Sequence, residues 1–251
     1  MSRLRSHLAW MVVLAALVAA WQAYVRLRGV PQYVLPAPTD VGRTLWDERG
    51  PLASAAGVTA REMLAGFALA LGFGLAAAVA LHASATVRRA VYPLLVGSQS
   101  VPVVAIAPIL VIYLGFGLAP KLVIVALVCF FPITVAALDG FRSVDPEHVR
   151  VMRTLRASRT AIFRRVELPW ALPSIFTGMR LGLGFAWVVI VVGEMTGVQT
   201  GLGAIIMEAR QLSRTEIVIS GMIVIGAFGF LSDQLVMLVG RRLLTWSPSH
   251  G

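Results

Sequence analysis

Few side chains in this sequence are equipped for chemistry, and they fall in three places. Ser98, Gln99, Ser100 and Pro102 interrupt one apolar run, and Glu194 and Asp233 are carboxylates within two others. Residues 143–173 carry Arg150, Arg153, Arg156, Arg159, Arg164 and Arg165 against only Asp145, Glu147 and Glu167. Polar groups set in hydrocarbon are costly, so each marks either a solute path or a bond between helices. Within 143–173, Ile162, Phe163, Val166 and Leu168 return at helical spacing among the arginines. That pattern describes a structured, charged element that a partner works from the water side. Other chemistries find no footing. His7, His82, His148 and His250 lack metal-ligand spacing, and Cys129 is the single cysteine, so there is no disulfide framework. No cluster of His, Asp or Glu gathers at one membrane face as an intramembrane enzyme needs. No G-x-x-x-x-G-K-[ST] cradles a nucleotide; GFGLAPKL at 115–122 lacks the second glycine. The sequence therefore assigns no catalytic residue, no metal and no cofactor.

The elements that position these residues follow from composition. Apolar residues make up 58% of the 251 and charged ones 14%, against about a quarter charged in soluble domains. The excess apolar surface must face lipid, where backbone groups are satisfied within helices. The runs are continuous rather than alternating, which excludes a transmembrane β-barrel. The expected fold is an all-α membrane protein, a single domain over 1–251. Its six transmembrane helices fall at about 8–25, 63–81, 91–114, 122–138, 175–192 and 217–239. The first follows Arg3 and Arg5 like a signal peptide but is long enough to span, and reads as an uncleaved helix.

Net charge is +10, and Lys121 is the only lysine. With the N-terminus in the cytosol, Arg3, Arg5, Arg88, Arg89, Arg241, Arg242 and the eight arginines from Arg142 to Arg180 lie inside. The positive-inside rule thus places both termini in the cytosol. The arginines sit in short loops without interleaved aromatics, so nucleic acid is not the partner. Two outer loops have some size. In 27–62, Thr39 and Asp40 are placed to cap a short helix through Trp46; in 197–216, a glycine-broken turn precedes a short amphipathic helix. In the inner loop, Pro146 starts a helix over 147–156. A second helix near 160–166 presents Ile162, Phe163 and Val166 as an apolar tip, and Pro169 and Pro173 stop it. Gln99 lies about 13 Å into the third span at 1.5 Å per residue, with Pro102 and Pro108 expected to kink that helix. Glycines at 66, 72, 74, 178, 182 and 184 permit close helix packing.

The loop resembles the cytoplasmic coupling loop of bacterial ABC-importer permeases, whose signature is Glu-Ala-Ala, three residues, Gly, nine residues, then Ile-x-Leu-Pro. Val166, Leu168 and Pro169 fit its end. Arg150, Val151 and Met152 stand in place of Glu-Ala-Ala, and Arg156 in place of Gly. The surrounding text is similar to the nitrate, sulfonate and taurine branch: IAPILVIYLGFGLAPKL at 106–122, FRRVELPWALPSIFTGMRLGLGFAWVVIVVGEMTG from 163, VGEMTGVQTGLGAIIMEA at 192–209 and a terminal RRLLTW.

The resemblance implies a type I importer permease, multi-pass in the bacterial inner membrane. It translocates a small solute such as a sulfonate, taurine or nitrate, delivered by an extracytoplasmic binding protein. It implies cytosolic ABC ATPase subunits that dock on a coupling loop at about 143–173. The coupling residues would be Glu147, Arg150, Arg153, Arg156, Ala157, Ser158, Ile162, Phe163, Val166, Leu168 and Pro169. A second permease copy would complete a homodimer in the lipid membrane. Ser98, Gln99, Ser100 and Pro102 are the candidates for the pathway; Glu194 and Asp233 read as structural acids. Arg156 in the glycine position predicts either an uninterrupted helix or a turn closed in another way. The alternative is a stand-alone secondary transporter or channel, which would show inverted repeats and buried coupling groups.

Overall fold

A computed structural model describes residues 2–196 and 200–244, and of these the side chains from Met11 onward apart from Val104. Every regular element among the described residues is helical. In chain order they are α1 (Ser2–Arg28), α2 (Pro38–Asp47), α3 (Arg49–Ala83), α4 (Ala85–Ser98), α5 (Val103–Leu114), α6 (Leu118–Arg142), α7 (Pro146–Thr154), α8 (Arg159–Ile162), a π-helical turn (Phe163–Glu167), α9 (Leu168–Met195), α10 (Leu202–Gln211) and α11 (Thr215–Leu243). Five of the helical stretches are long and apolar enough to cross a membrane: those containing α1, α3, α6, α9 and α11. They cover five of the six expected spans.

The remaining expected span, 91–114, is two helices. Gln99, Ser100 and Val101 form a turn, and Pro102 is the N-cap of α5. A residue before proline is biased away from the α region, and here the chain leaves the helix before Pro102. The two proline-bearing pieces have 14 and 12 residues, about 21 and 18 Å at 1.5 Å per residue. Neither alone covers a hydrocarbon core of about 30 Å.

The core is a three-helix stack of α3, α6 and α9. Met63, Phe67 and Ala70 meet Ile124, Val125, Cys129 and Ile133, and both sets meet Leu183, Ala186, Trp187 and Ile190. Glycine sets the approach. A Cβ on Gly66 would sit 2.7 Å from the Val125 Cβ, and one on Gly178 would sit 2.7 Å from the Ala136 Cβ and 2.9 Å from the Pro132 carbonyl oxygen. Gly74 and Gly182 also face packed side chains, whereas Gly72 and Gly184 look onto open space. Four of the six expected glycines therefore serve helix packing. A second cluster continues the stack toward the arginine-rich end, with Ala78, Leu81, Leu138, Phe141, Ala171 and Ile175.

The peripheral elements are held by polar ties. Gln22 Nε2 and Arg26 Nη2 both donate to the Thr39 hydroxyl, and Arg26 also pairs with Asp40 at 3.1 Å. The α2 helix exists as expected, but neither Thr39 nor Asp40 caps it; Ala37 is the N-cap, without a side-chain bond, and Pro38 follows it. Thr39 instead faces α1. The expected short helix in 197–216 is α10, entered through Gly201 at φ +97°. Residues 197–199, and the tail beyond Leu244 that completes RRLLTW, lie outside the described residues.

Candidate functional site: the arginine-rich loop and the polar groups within the bundle

Two short helices emerge where the sequence places them. Asp145 caps α7, its carboxylate accepting from the Glu147 N–H at 2.8 Å, with Pro146 at the first helical position. Ser158 caps α8, its hydroxyl accepting from the Ala161 N–H at 3.2 Å. Between them Arg156 holds φ +57°. The Ala157 N–H donates to the Met152 carbonyl and the Arg156 N–H to the Arg153 carbonyl, the pair of bonds that defines a Schellman cap. The helix is thus interrupted, and the turn closes in the geometry a glycine would favour, with an arginine in it.

The second helix does not end at Pro169. Proline lacks an N–H and its ring crowds the carbonyl four residues back. A π turn over Phe163–Glu167 absorbs both problems, with the Leu168 N–H donating to the Phe163 carbonyl. The helix then runs unbroken across Pro169 and Pro173, so Arg159–Met195 is one stretch of 37 residues. The expected stop is corrected accordingly.

The expected apolar tip also turns out to face inward. Ile162 is buried, and Phe163 stacks on Phe141 with ring centroids 5.4 Å apart. Leu168 packs in the same cluster, and Val166 and Pro169 are half-buried. Exposed apolar surface lies instead on α7 and its cap, where Val151 is 59% and Leu155 72% exposed. These two are four residues apart and share one face. Pro146, Val149, Arg150 and Arg153 share the opposite face, which lines a cleft against the bundle. The signal for Val151 and Leu155 was present as a spacing in the sequence, but the stronger cluster at 162–168 masked it. His148, exposed, lies with its ring 5.5 Å from that of Trp170.

At the base of the loop, His82 Nε2 lies 3.0 Å from Glu167 Oε2. This contact joins the end of α3 to the π turn beneath Phe141.

The polar groups within the bundle divide by what they touch. Glu194, 1% exposed, accepts from the Thr59 hydroxyl and from the Gly203 N–H, both at 2.7 Å. Thr59 accepts in turn from the Leu202 N–H. The carboxylate and the Thr59 hydroxyl thus each take one of the orphan donors at the start of α10. A Cβ at Gly201 would collide with the carboxylate. Nearby, Lys121 is buried and donates to both oxygens of Glu62, at 2.8 and 2.7 Å. Arg180, grouped by the sequence with the loop arginines, sits within α9 and grips Asp233 of α11 with two bonds of 2.6 and 3.0 Å. Ser98, Gln99, Ser100 and Pro102 are all exposed at the break between α4 and α5.

Comparison with known proteins resolves the class of molecule. Residues 70–245 match the family described as binding-protein-dependent transport system inner membrane component. The chain belongs to that family. It is 34% identical to the putative aliphatic sulfonates transport permease protein SsuC of Bacillus subtilis, across 98% of this permease and 91% of that one. Against the taurine transport system permease protein TauC of Escherichia coli it is also 34% identical, covering 95% and 88%. Against the riboflavin transport system permease protein RibX of Chloroflexus aurantiacus it is 35% identical, covering 95% and 90%. A crystal structure of an amino acid ABC transporter with histidines shares the fold, with a TM-score of 0.62 at 15% identity over 78% of this chain and 96% of that one. The permease is a multi-pass helical transport subunit of the bacterial inner membrane.

Proposed function

We propose that this permease is the membrane subunit of an ATP-driven importer for a small sulfonate- or taurine-like anion. An extracytoplasmic binding protein delivers the solute, and cytosolic ATPase subunits dock on the loop between α6 and α9. The observation that carries this reading is the two-faced helix α7, which holds Val151 and Leu155 away from the bundle. Exposed apolar residues at helical spacing on a basic helix seat in a groove on a partner. The match along nearly the whole length of sulfonate and taurine permeases supports the solute class. The orientation that puts this loop and both termini in the cytosol follows from the arginines.

In this reading a second copy of the chain completes a two-fold pathway, and ATPase closure shifts the pair between two states. Residues 98–102 contribute to the pathway. Non-helical backbone at membrane depth is tolerated where it lines an aqueous cavity or is buried in protein, and here it is exposed on the single chain.

Reconstitution tests the proposal. The permease, co-expressed with the ATPase and binding protein of its own gene cluster, should purify with the ATPase and show taurine- or sulfonate-stimulated ATP turnover in liposomes. Gln99→Leu should assemble normally and shift the KM for uptake. Failure of both co-purification and stimulation removes the importer; unchanged uptake kinetics in the variant removes residues 98–102 from the pathway.

A further inference from the structure

We propose that the cleft beneath α7 binds a phosphate-type anion, supplied by a lipid headgroup or as free phosphate, and that the bound anion fastens α7 to the membrane bundle. The cleft has a volume of about 460 Å³ and is lined by His82, Arg88, Arg142, Arg150, Arg153 and Glu167, among others. Glu167, the one acid in that lining, is engaged by His82 at 3.0 Å. Arg88 reaches the Leu81 carbonyl at 3.5 Å. Arg142, Arg150 and Arg153 make no side-chain hydrogen bond or ion pair among the described residues.

Four guanidinium groups on one cleft repel one another, and their planar forks match the oxygens of a phosphate. The groups come from three elements: Arg88 from α4, Arg142 from α6, and Arg150 and Arg153 from α7. An anion held among them bridges α7 to the bundle. That bridge matters because α7 contributes no buried residue of its own. Arg142 closes the end of the membrane-crossing helix α6, the level at which headgroup phosphates lie. Arg150 stands where the coupling-loop signature has glutamate, so at that position the cleft carries a positive charge in place of a negative one. That α7 transmits force to the pathway rests on the proposed function; that the cleft holds an anion does not.

The test uses the full-length permease without ATPase, in maltoside micelles, which hold no phosphate, with hydrogen exchange of the α7 amides as readout. One arm titrates inorganic phosphate against chloride at constant ionic strength. The other adds phosphatidylglycerol to the micelles and no inorganic phosphate. At ten times the Kd, exchange in α7 should slow about tenfold. Slowing with phosphate identifies a soluble anion, and slowing with phosphatidylglycerol alone identifies the headgroup. The pair Arg142→Gln with Arg153→Gln should abolish the response. The exposed pair Arg164→Gln with Arg165→Gln, outside the cleft, should keep it. No slowing of the unaltered protein in either arm overturns the proposal, whether or not the cleft variant folds. So does an equal response in both variants, or protection of α7 that arises only when the ATPase is added.

Discussion

Arg156 occupies a left-handed backbone conformation that its own side chain disfavours. For an L-residue other than glycine that region costs roughly 1–2 kcal/mol, and glycine recovers most of this less its greater loss of freedom on folding. Arg156→Gly should therefore stabilise the loop by roughly 0.5–1 kcal/mol. Denaturation of the purified permease measures this; a variant less stable than the parent would mean that the guanidinium makes a contact worth more than the strain. Ser213 closes α10 in the same way at φ +57°, with the Arg214 N–H donating to the Ala209 carbonyl. Sequence reasoning anticipated a conflict at Arg156 but not its outcome. A residue's type gives its preference, whereas the two cap bonds that override it exist only once α7 has formed. Glu194 stood out in the sequence through its position in an apolar run. Its actual partners, Thr59 and the Gly203 N–H, lie 135 and 9 residues away, and no local pattern names them.

Among the elements, close packing of α6 on α9 depends on Gly178 and Gly140. The Cβ missing at Gly178 would meet Ala136 and backbone of α6 rather than the end of a flexible side chain. Gly178→Leu should destabilise the permease by about 1–3 kcal/mol or more, the range for overpacking a filled interior, while Gly184→Leu should be nearly neutral because nothing lies within 4 Å. Thermal melting of the two variants in detergent compares them; equal losses would mean that α6 and α9 do not meet as described. The long helices were readable because continuous apolar runs leave little choice of structure in lipid. What two of the prolines do was not. Pro102 and Pro169 look alike in sequence, each following a helical pattern. At Pro102 the chain leaves the helix, and at Pro169 it continues through a π turn. What separates them is tertiary: Phe163 and Leu168 are held in the core around Phe141, so the helix gains more by widening than by ending.

Over the whole molecule, the buried polar bonds around Glu194 and the arginine-rich loop lie at opposite ends of α6. Glu194, Thr59, Lys121 and Glu62 tie α3, α6, α9 and α10 together near the start of α6. The arginine-rich loop hangs from its other end, where α7 is exposed on one face and sits over a cationic cleft on the other. The first end is tied by buried partners; at the second, α7 contributes no buried residue. That arrangement suits a subunit driven from one side of the membrane. The central claim is that the outward face of α7, and not the buried segment at 162–163, receives the partner. Recovery of the ATPase on affinity-tagged permease decides it. Leu155→Asp should lower ATPase recovery at least tenfold, a loss of about 1.4 kcal/mol of association, while the permease inserts and melts like the parent. Full recovery of the ATPase on properly inserted Leu155→Asp would contradict the account.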